Sequence, residues 1–178
     1  MARPLEFAVK ERQFALYSND RDQVVGIIVG GVSRVAIQCH GKINQSPLRN
    51  LVLASAGLSV GETARLTYRS PKAVKSGRLQ ASRALGANNM GLATTMAFHT
   101  GIYDVIEPLE PLTLQPRQHD VLKYAARGLT REQTATELGI APSSVQTHRK
   151  NLLTSIGAAN VVQAVFLANL SGQLAGEL

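Results

Sequence analysis

Residues 57–97 of this chain recur 71 positions later, without an insertion or deletion. Gly57-Leu58-Ser59 answers to Gly128-Leu129-Thr130, Thr63-Ala64 to Thr134-Ala135, and Pro71-x-x-Val74 to Pro142-x-x-Val145. The register continues through Arg78/Arg149, Gly86-Ala87/Gly157-Ala158, Asn89/Asn160, Ala93/Ala164 and Ala97/Ala168. A fixed offset held this long marks a duplicated structural unit. Whatever one copy folds into, the other is constrained to resemble.

Each copy is small, and the residues available set its style. With 178 residues the chain makes one or two compact units. At 44% hydrophobic but only 4% aromatic, with no Trp, its cores are expected to be aliphatic and Ala-rich, which suits small helical bundles. A net charge of +7 points to a polyanionic partner, most simply nucleic acid. That charge lies on the repeats. Residues 46–101 carry seven Lys/Arg against Glu62 alone, and 116–171 carry six against three acids, whereas 102–115 holds Asp104, Glu107 and Glu110 and no base.

The second copy has the clearer punctuation. Pro116 opens a helix with Val121, Leu122, Ala125 and Ala126 at helical spacing, and Gly128 stops it. Thr130 caps a second helix, roughly 131–138, and Gln133 completes a capping-box pattern. After Gly139 a turn leads into a third helix, from Pro142 or Ser143 to about Ser155, and Asn160 to Leu170 makes a fourth. At 100° per residue, Ser144, Val145, His148, Leu152 and Ile156 share one face of the third helix; Gln146, Thr147, Arg149 and Lys150 share the other.

The first copy follows the same plan. Leu51, Ala54 and Ser55 lie on a helix ending at Gly57, and Ser59 caps the next with Glu62 in the box position. A helix of about Pro71 to Leu85 turns Ala73, Val74, Gly77, Ala81 and Ala84 inward and Lys72, Lys75, Arg78 and Arg83 outward. Met90, Ala93, Thr94 and Ala97 lie along the fourth. Gly77 is costly inside a helix, by about 1 kcal/mol against Ala.

Outside the repeats the signals are weaker. Pro108 and Pro111 predict an extended, stiff linker over 102–115. In 1–45, Leu5 to Tyr17 fits a helix and Asn19-Asp20 a turn or cap. The β-branched run Val24 to Val29 favours a strand, while Val25, Ile28, Val29, Val32 and Ala36 also fit helical spacing. Gly31-Val32-Ser33-Arg34 faintly echoes Gly128-Leu129-Thr130-Arg131.

A three-helix core presenting a polar, basic helix suits the DNA major groove, where Lys, Arg and Gln read base edges while hydroxyls and helix-start amides hold phosphates. The run from Gly128-Leu129-Thr130 through Val145-Gln146-Thr147-His148-Arg149-Lys150-Asn151-Leu152 to Ile156-Gly157-Ala158 resembles the LuxR/NarL-type (GerE-like) helix-turn-helix, over about 113–172. The first copy is similar over about 46–101, with Tyr68-Arg69-Ser70-Pro71-Lys72-Ala73-Val74 in the turn; it departs at Gly77 and Leu79. The resemblance implies groove contacts from Gln146, Thr147 and Lys150 and phosphate contacts from Thr130, Ser143, Ser144 and Arg149. In the first copy it implies Lys75, Ser76 and Leu79 in the groove, and Ser59, Lys72 and Arg78 on phosphates. Leu79 has no hydrogen bond to offer a base. The fourth helices, 89–100 and 160–170, become candidate surfaces for a homodimer or hetero-partner.

Other chemistries find little support. Cys39-His40 lacks the spacing of a metal or thiol site, and His99, His119 and His148 are scattered. Gly26 to Gly31 lacks the Lys and Ser/Thr of a phosphate loop. Asp20 and Asp22 invite comparison with a phosphorylated receiver domain, but one needs well over a hundred residues of alternating strands and helices, and the helix-turn-helix units occupy most of that space. No catalytic residue, cofactor or metal is therefore expected. The longest apolar run, Gln23 to Ser33, is too short for a bilayer, Met1 to Lys10 has no signal-peptide core, and the single cysteine fits a reducing cytoplasm. The expectation is an all-α DNA-binding transcription regulator: an N-terminal segment (1–45) of unsettled structure, a first unit (46–101), a linker (102–115) and a second unit (116–172) that reads sequence. The contrasting reading is a protein-interaction module that keeps the fold.

Overall fold

The computed structural model describes residues 4–176 apart from 11, 20–22, 32 and 39–42. The all-α expectation is corrected at once. Five strands, β1 (Leu5–Val9), β2 (Arg12–Ser18), β3 (Val24–Val29), β4 (Ser33–Ile37) and β5 (Tyr103–Glu107), form one antiparallel sheet in the order β1-β2-β3-β4-β5. Among the described residues eight helices accompany it, so the fold is mixed α/β.

The sheet follows from side-chain alternation. Along β2, Phe14 and Leu16 are buried while Gln13 and Tyr17 are exposed; along β4, Ser33, Val35 and Ile37 are buried and Arg34 is exposed. One face is thus apolar and packed, as a half-covered antiparallel sheet requires. Leu5 to Tyr17, which fits helical spacing, instead makes the β1–β2 hairpin, with Lys10 at φ 54° in its tight turn. Asn19 belongs to the next turn: its backbone N–H donates to Gln23 O, and its Oδ1 accepts from Gln23 N–H. Cys39-His40, Asp20, Asp22 and Val32 lie outside the described residues.

The helices are α1 (Gln45–Ser55), α2 (Val60–Leu66), α3 (Pro71–Ala84), α4 (Met90–His99), α5 (Pro116–Ala126), α6 (Arg131–Leu138), α7 (Pro142–Ser155) and α8 (Val161–Leu170). The bounds of α1, α3 and α4 precede those of α5, α7 and α8 by 71 residues at both ends; α2 starts 71 residues before α6 and is one residue shorter. The punctuation explains the match. Ser59 and Thr130 accept from the N–H groups of Glu62 and Gln133 in two capping boxes. Asn89 and Asn160 cap α4 and α8, and Gly57, Gly86, Gly128 and Gly157 take positive φ.

The joint is more than an extended linker. Its first part is β5, which pairs with β4 and completes the sheet. Farther on, Leu109 N–H donates to Leu170 O, and Gln173 Nε2 donates to Leu112 O. The segment around Pro108 and Pro111 is thus held against the C-terminus of α8.

One apolar cluster runs from the sheet through both sets of helices. α8 is buried along most of its length, Gln163 to Ala168 and Leu170, which accounts for its nearly all-round apolar sequence. Against the expectation of an aliphatic interior, Phe98, Tyr103 and Phe166 meet at ring-centroid distances of 5.0–5.7 Å where α4, β5 and α8 converge. Burial pushes the Tyr103 phenol pKa well up; its hydroxyl lies 3.1 Å from Ser55 Oγ, which lies 2.9 Å from Thr94 Oγ1. A small separate core, Val121, Ala135 and Val145 with Leu138 and Ile140, holds α5, α6 and α7 together.

Candidate nucleic-acid interface

The outer face of α7 is built by what its inner face must bury. Val145, Leu152 and the flanking Ile156 are buried, with Ser144 and His148 partly so. That orientation leaves Gln146, Thr147 and Lys150 exposed together, one turn apart. Thr147 Oγ1 donates to Ser143 O at 3.1 Å, so toward a ligand it offers an acceptor lone pair and a methyl group. Among the described residues the side chains of Gln146 and Lys150 meet no hydrogen-bond or ion-pair partner, and both are exposed. Thr130, Ser143 and the start of α7 flank this face. The Thr130 hydroxyl accepts from Gln133 N–H and also bonds the Glu132 carboxylate, so donation to a phosphate would exchange that second bond.

Arg149 does not stand with the exposed residues. It is half-buried, its Nε has no hydrogen-bond partner, and burial lowers its pKa, with Glu132 acting in the opposite sense. Arg131 and Glu132 form an exposed pair through two contacts of 2.9 and 2.7 Å, which holds the Glu132 carboxyl below its usual range after its own backbone N–H.

On α3 the inward face is Val74, Gly77, Ala81 and Ser82, whereas Ala73 and Ala84, expected inside, are exposed. Lys72, Lys75, Ser76 and Arg83 are exposed, and Leu79 stands 51% exposed among them. Arg78 turns inward. Its Nη2 donates to Leu58 O at 2.7 Å and Thr63 Oγ1 at 3.0 Å, pinning the turn before α2, and burial lowers its pKa. Gly77 has a packing reason: a Cβ there would fall on the Asn50 amide of α1, so the missing side chain lets α1 and α3 close up.

Two features were missed from sequence. Tyr68, in the turn between α2 and α3, is 97% exposed and sits at φ 53°, where its counterpart Gly139 sits at φ 63°. The offset alone could have flagged a tyrosine aligned with a turn glycine. The second feature is how the two halves meet. The segments 89–100 and 160–170, expected as candidate contact surfaces toward another chain, pack on each other within this one as α4 against α8. Asn89 Nδ2 donates to Gly128 O at 2.8 Å, and Asn160 Nδ2 donates to Gly57 O at 2.7 Å.

Among the described residues there is no cluster of His, Cys, Asp or Glu able to hold a metal, and no helix is long and apolar enough to cross a membrane. What the exposed α7 face offers is hydrogen bonding and positive charge.

The comparisons place this face in a known family. Residues 112–168 match the family of bacterial regulatory proteins, luxR family. The transcriptional regulatory protein UhpA of Salmonella typhimurium is 41% identical over 54 residues, which cover 30% of this chain and 26% of UhpA. The transcriptional regulatory protein FixJ of Azorhizobium caulinodans is 36% identical over 59 residues, 33% of this chain and 28% of FixJ. The transcriptional activator protein PhzR of Pseudomonas fluorescens is 32% identical over 88 residues, 45% of this chain and 36% of PhzR. The chain therefore spans well under half the length of these relatives. Residues 112–168 are a LuxR-family helix-turn-helix domain.

Proposed function

We propose that this chain is a DNA-binding transcription regulator whose second unit, 116–172, is the main sequence reader. The observation that carries this is the exposed face of α7, Gln146, Thr147 and Lys150, on a LuxR-family domain whose named relatives are transcriptional regulators. In this reading Thr130, Ser143 and Ser144 hold phosphates, and Arg149 reaches one only by swinging out of its half-buried place.

The first unit, 46–101, is a second helix-turn-helix. The equal helix bounds and capping boxes support this. Lys72, Lys75, Ser76 and Ser59 supply its DNA contacts, and Leu79 confines base recognition there to a thymine methyl. Arg78, bound to Leu58 O and Thr63, is a structural residue rather than a phosphate ligand. The unit adds grip in cis, so the chain acts as a covalent pseudo-dimer, with β1–β4 and β5 forming the sheet that braces it.

Gel-shift titration against salt tests the assignment. Lys75→Ala or Lys72→Ala should reduce the log–log salt slope by about one and weaken binding to all sequences alike. Gln146→Ala or Lys150→Ala should narrow the gap between specific and random DNA by about 1–3 kcal/mol. The opposing reading, a protein-interaction module, draws on the exposed Leu79. It requires no salt-dependent binding to random duplex at all.

A further inference from the structure

We propose that the chain binds, as a monomer, an operator of two inverted and unequal half-sites, and lies on it in one orientation. This rests on the reading of both units as DNA-binding.

Repeats strung along a sequence ordinarily suggest half-sites in direct repeat, related by translation. The contacts between the two units exclude that relation here. Asn89 donates to Gly128 O; adding 71 to the first and subtracting 71 from the second gives Asn160 and Gly57, which form the same bond at 2.7 Å. Gly57 faces the side chain of Gln163, so closely that a Cβ would meet it at 2.7 Å; Gly128 faces Leu92, the counterpart of Gln163, at 3.0 Å. α1 packs on α8 as α5 packs on α4, and α4 and α8, each the other's counterpart, meet directly. Exchanging the units maps every one of these contacts onto another of the set. Only a two-fold axis does this, and it passes between α4 and α8; a translation would give one bond of each pair without its converse.

The consequence for DNA is geometric. A duplex has two-fold axes perpendicular to its length, and a two-fold protein reads half-sites inverted about one of them. Because both fourth helices are already occupied by each other, one chain presents both readers without a second copy. The half-sites then differ because the readers do. Gln146, Thr147 and Lys150 face one; Lys75, Ser76 and Leu79 face the other. Among the described residues the five-stranded sheet has no counterpart across the axis, so the complex has a direction.

The test starts with the full chain and a site selected from random duplex. Three duplexes of equal spacing follow: the selected site, the same site with one half-site reversed into direct repeat, and the site with both halves scrambled. The reversed duplex should bind at least about tenfold more weakly, close to a lone half-site. Tight binding to the reversed duplex, while scrambling still abolishes binding, overturns the inverted arrangement alone. Scrambling without loss overturns sequence reading itself and this proposal with it. For orientation, a DNA-cleaving reagent is attached at Tyr68→Cys in a Cys39→Ser background. Cuts should cluster in one half of the site; equal cutting in both halves overturns the single orientation.

Discussion

Asn160 performs two tasks with one amide, and substitutions separate them. Its Oδ1 accepts from Gln163 N–H at 3.0 Å and caps α8; its Nδ2 donates to Gly57 O at 2.7 Å and ties α8 to the first unit. Asn160→Ser keeps a good cap but cannot reach Gly57, so its cost should be that of one partly buried hydrogen bond, about 1 kcal/mol. Asn160→Ala loses the cap as well and should cost about 2 kcal/mol. Asn89→Ser should cost less than Asn160→Ser, because Gly128 O also accepts from Asn88 Nδ2 at 3.3 Å. Urea unfolding reads these differences as shifts in midpoint at constant slope, and in a chain this size 1 kcal/mol moves the thermal midpoint by roughly 2–4 °C. Equal costs for the two variants would mean that the cap contributes nothing; a serine variant that costs nothing would mean that the bond between units contributes nothing, and the reasoning about the two-fold contact fails.

Other outcomes follow from the site geometry. Arg78→Ala should destabilise by about 2–3 kcal/mol, since it strands Leu58 O beside a buried apolar turn, yet leave the salt slope of DNA binding unchanged; a lower slope with unchanged stability would place Arg78 on DNA instead. Tyr68→Gly relieves a side chain held at φ 53° and should stabilise by about 1 kcal/mol in unfolding titrations, while weakening DNA binding if the exposed ring touches the duplex; unchanged stability would refute the strain. Hydrogen bonds from Ser59, side chain first and then backbone, hold the Glu62 carboxyl below its ordinary 4.5. A folded-state pKa lowered this way adds stability above the unfolded value and loses it as pH falls through the folded one. Glu62→Gln should therefore flatten the acid limb of stability below pH 4.5, by well under about 1 kcal/mol because the group is exposed, and an unaltered acid limb would show that the capping carboxylate does not contribute.

The helices were legible because their ends are written in residues with one physical use. Ser59, Thr130, Asn89 and Asn160 cap, Pro71 and Pro142 start, and Gly57, Gly86, Gly128 and Gly157 stop, so each boundary followed from local chemistry. The sheet was not legible because its signal is split. β1 and β2 are short and carry Ala8 and Ala15 where an outward polar residue would have shown the alternation. β5, which closes the sheet, lies 66 residues beyond the end of β4. Nothing local in Tyr103–Glu107 announces a partner that distant, and the neighbouring prolines argued for a linker. The exposed polar face of α7 came directly from helical periodicity. Arg78 and Arg149 did not, since a long side chain on the boundary of a face can bend either way, and the carbonyl of Leu58 draws Arg78 inward. The use of the fourth helices was hardest to see. Their apolar sequences signalled burial, but the direct packing of α4 on α8 is a long-range contact within this chain that no local signal announces.

Stoichiometry on DNA tests the central claim most directly. Native mass spectrometry or sedimentation of the full chain with a selected duplex should find one chain per duplex, protected across two half-sites. Two chains per duplex, each protecting a single half-site, would contradict it.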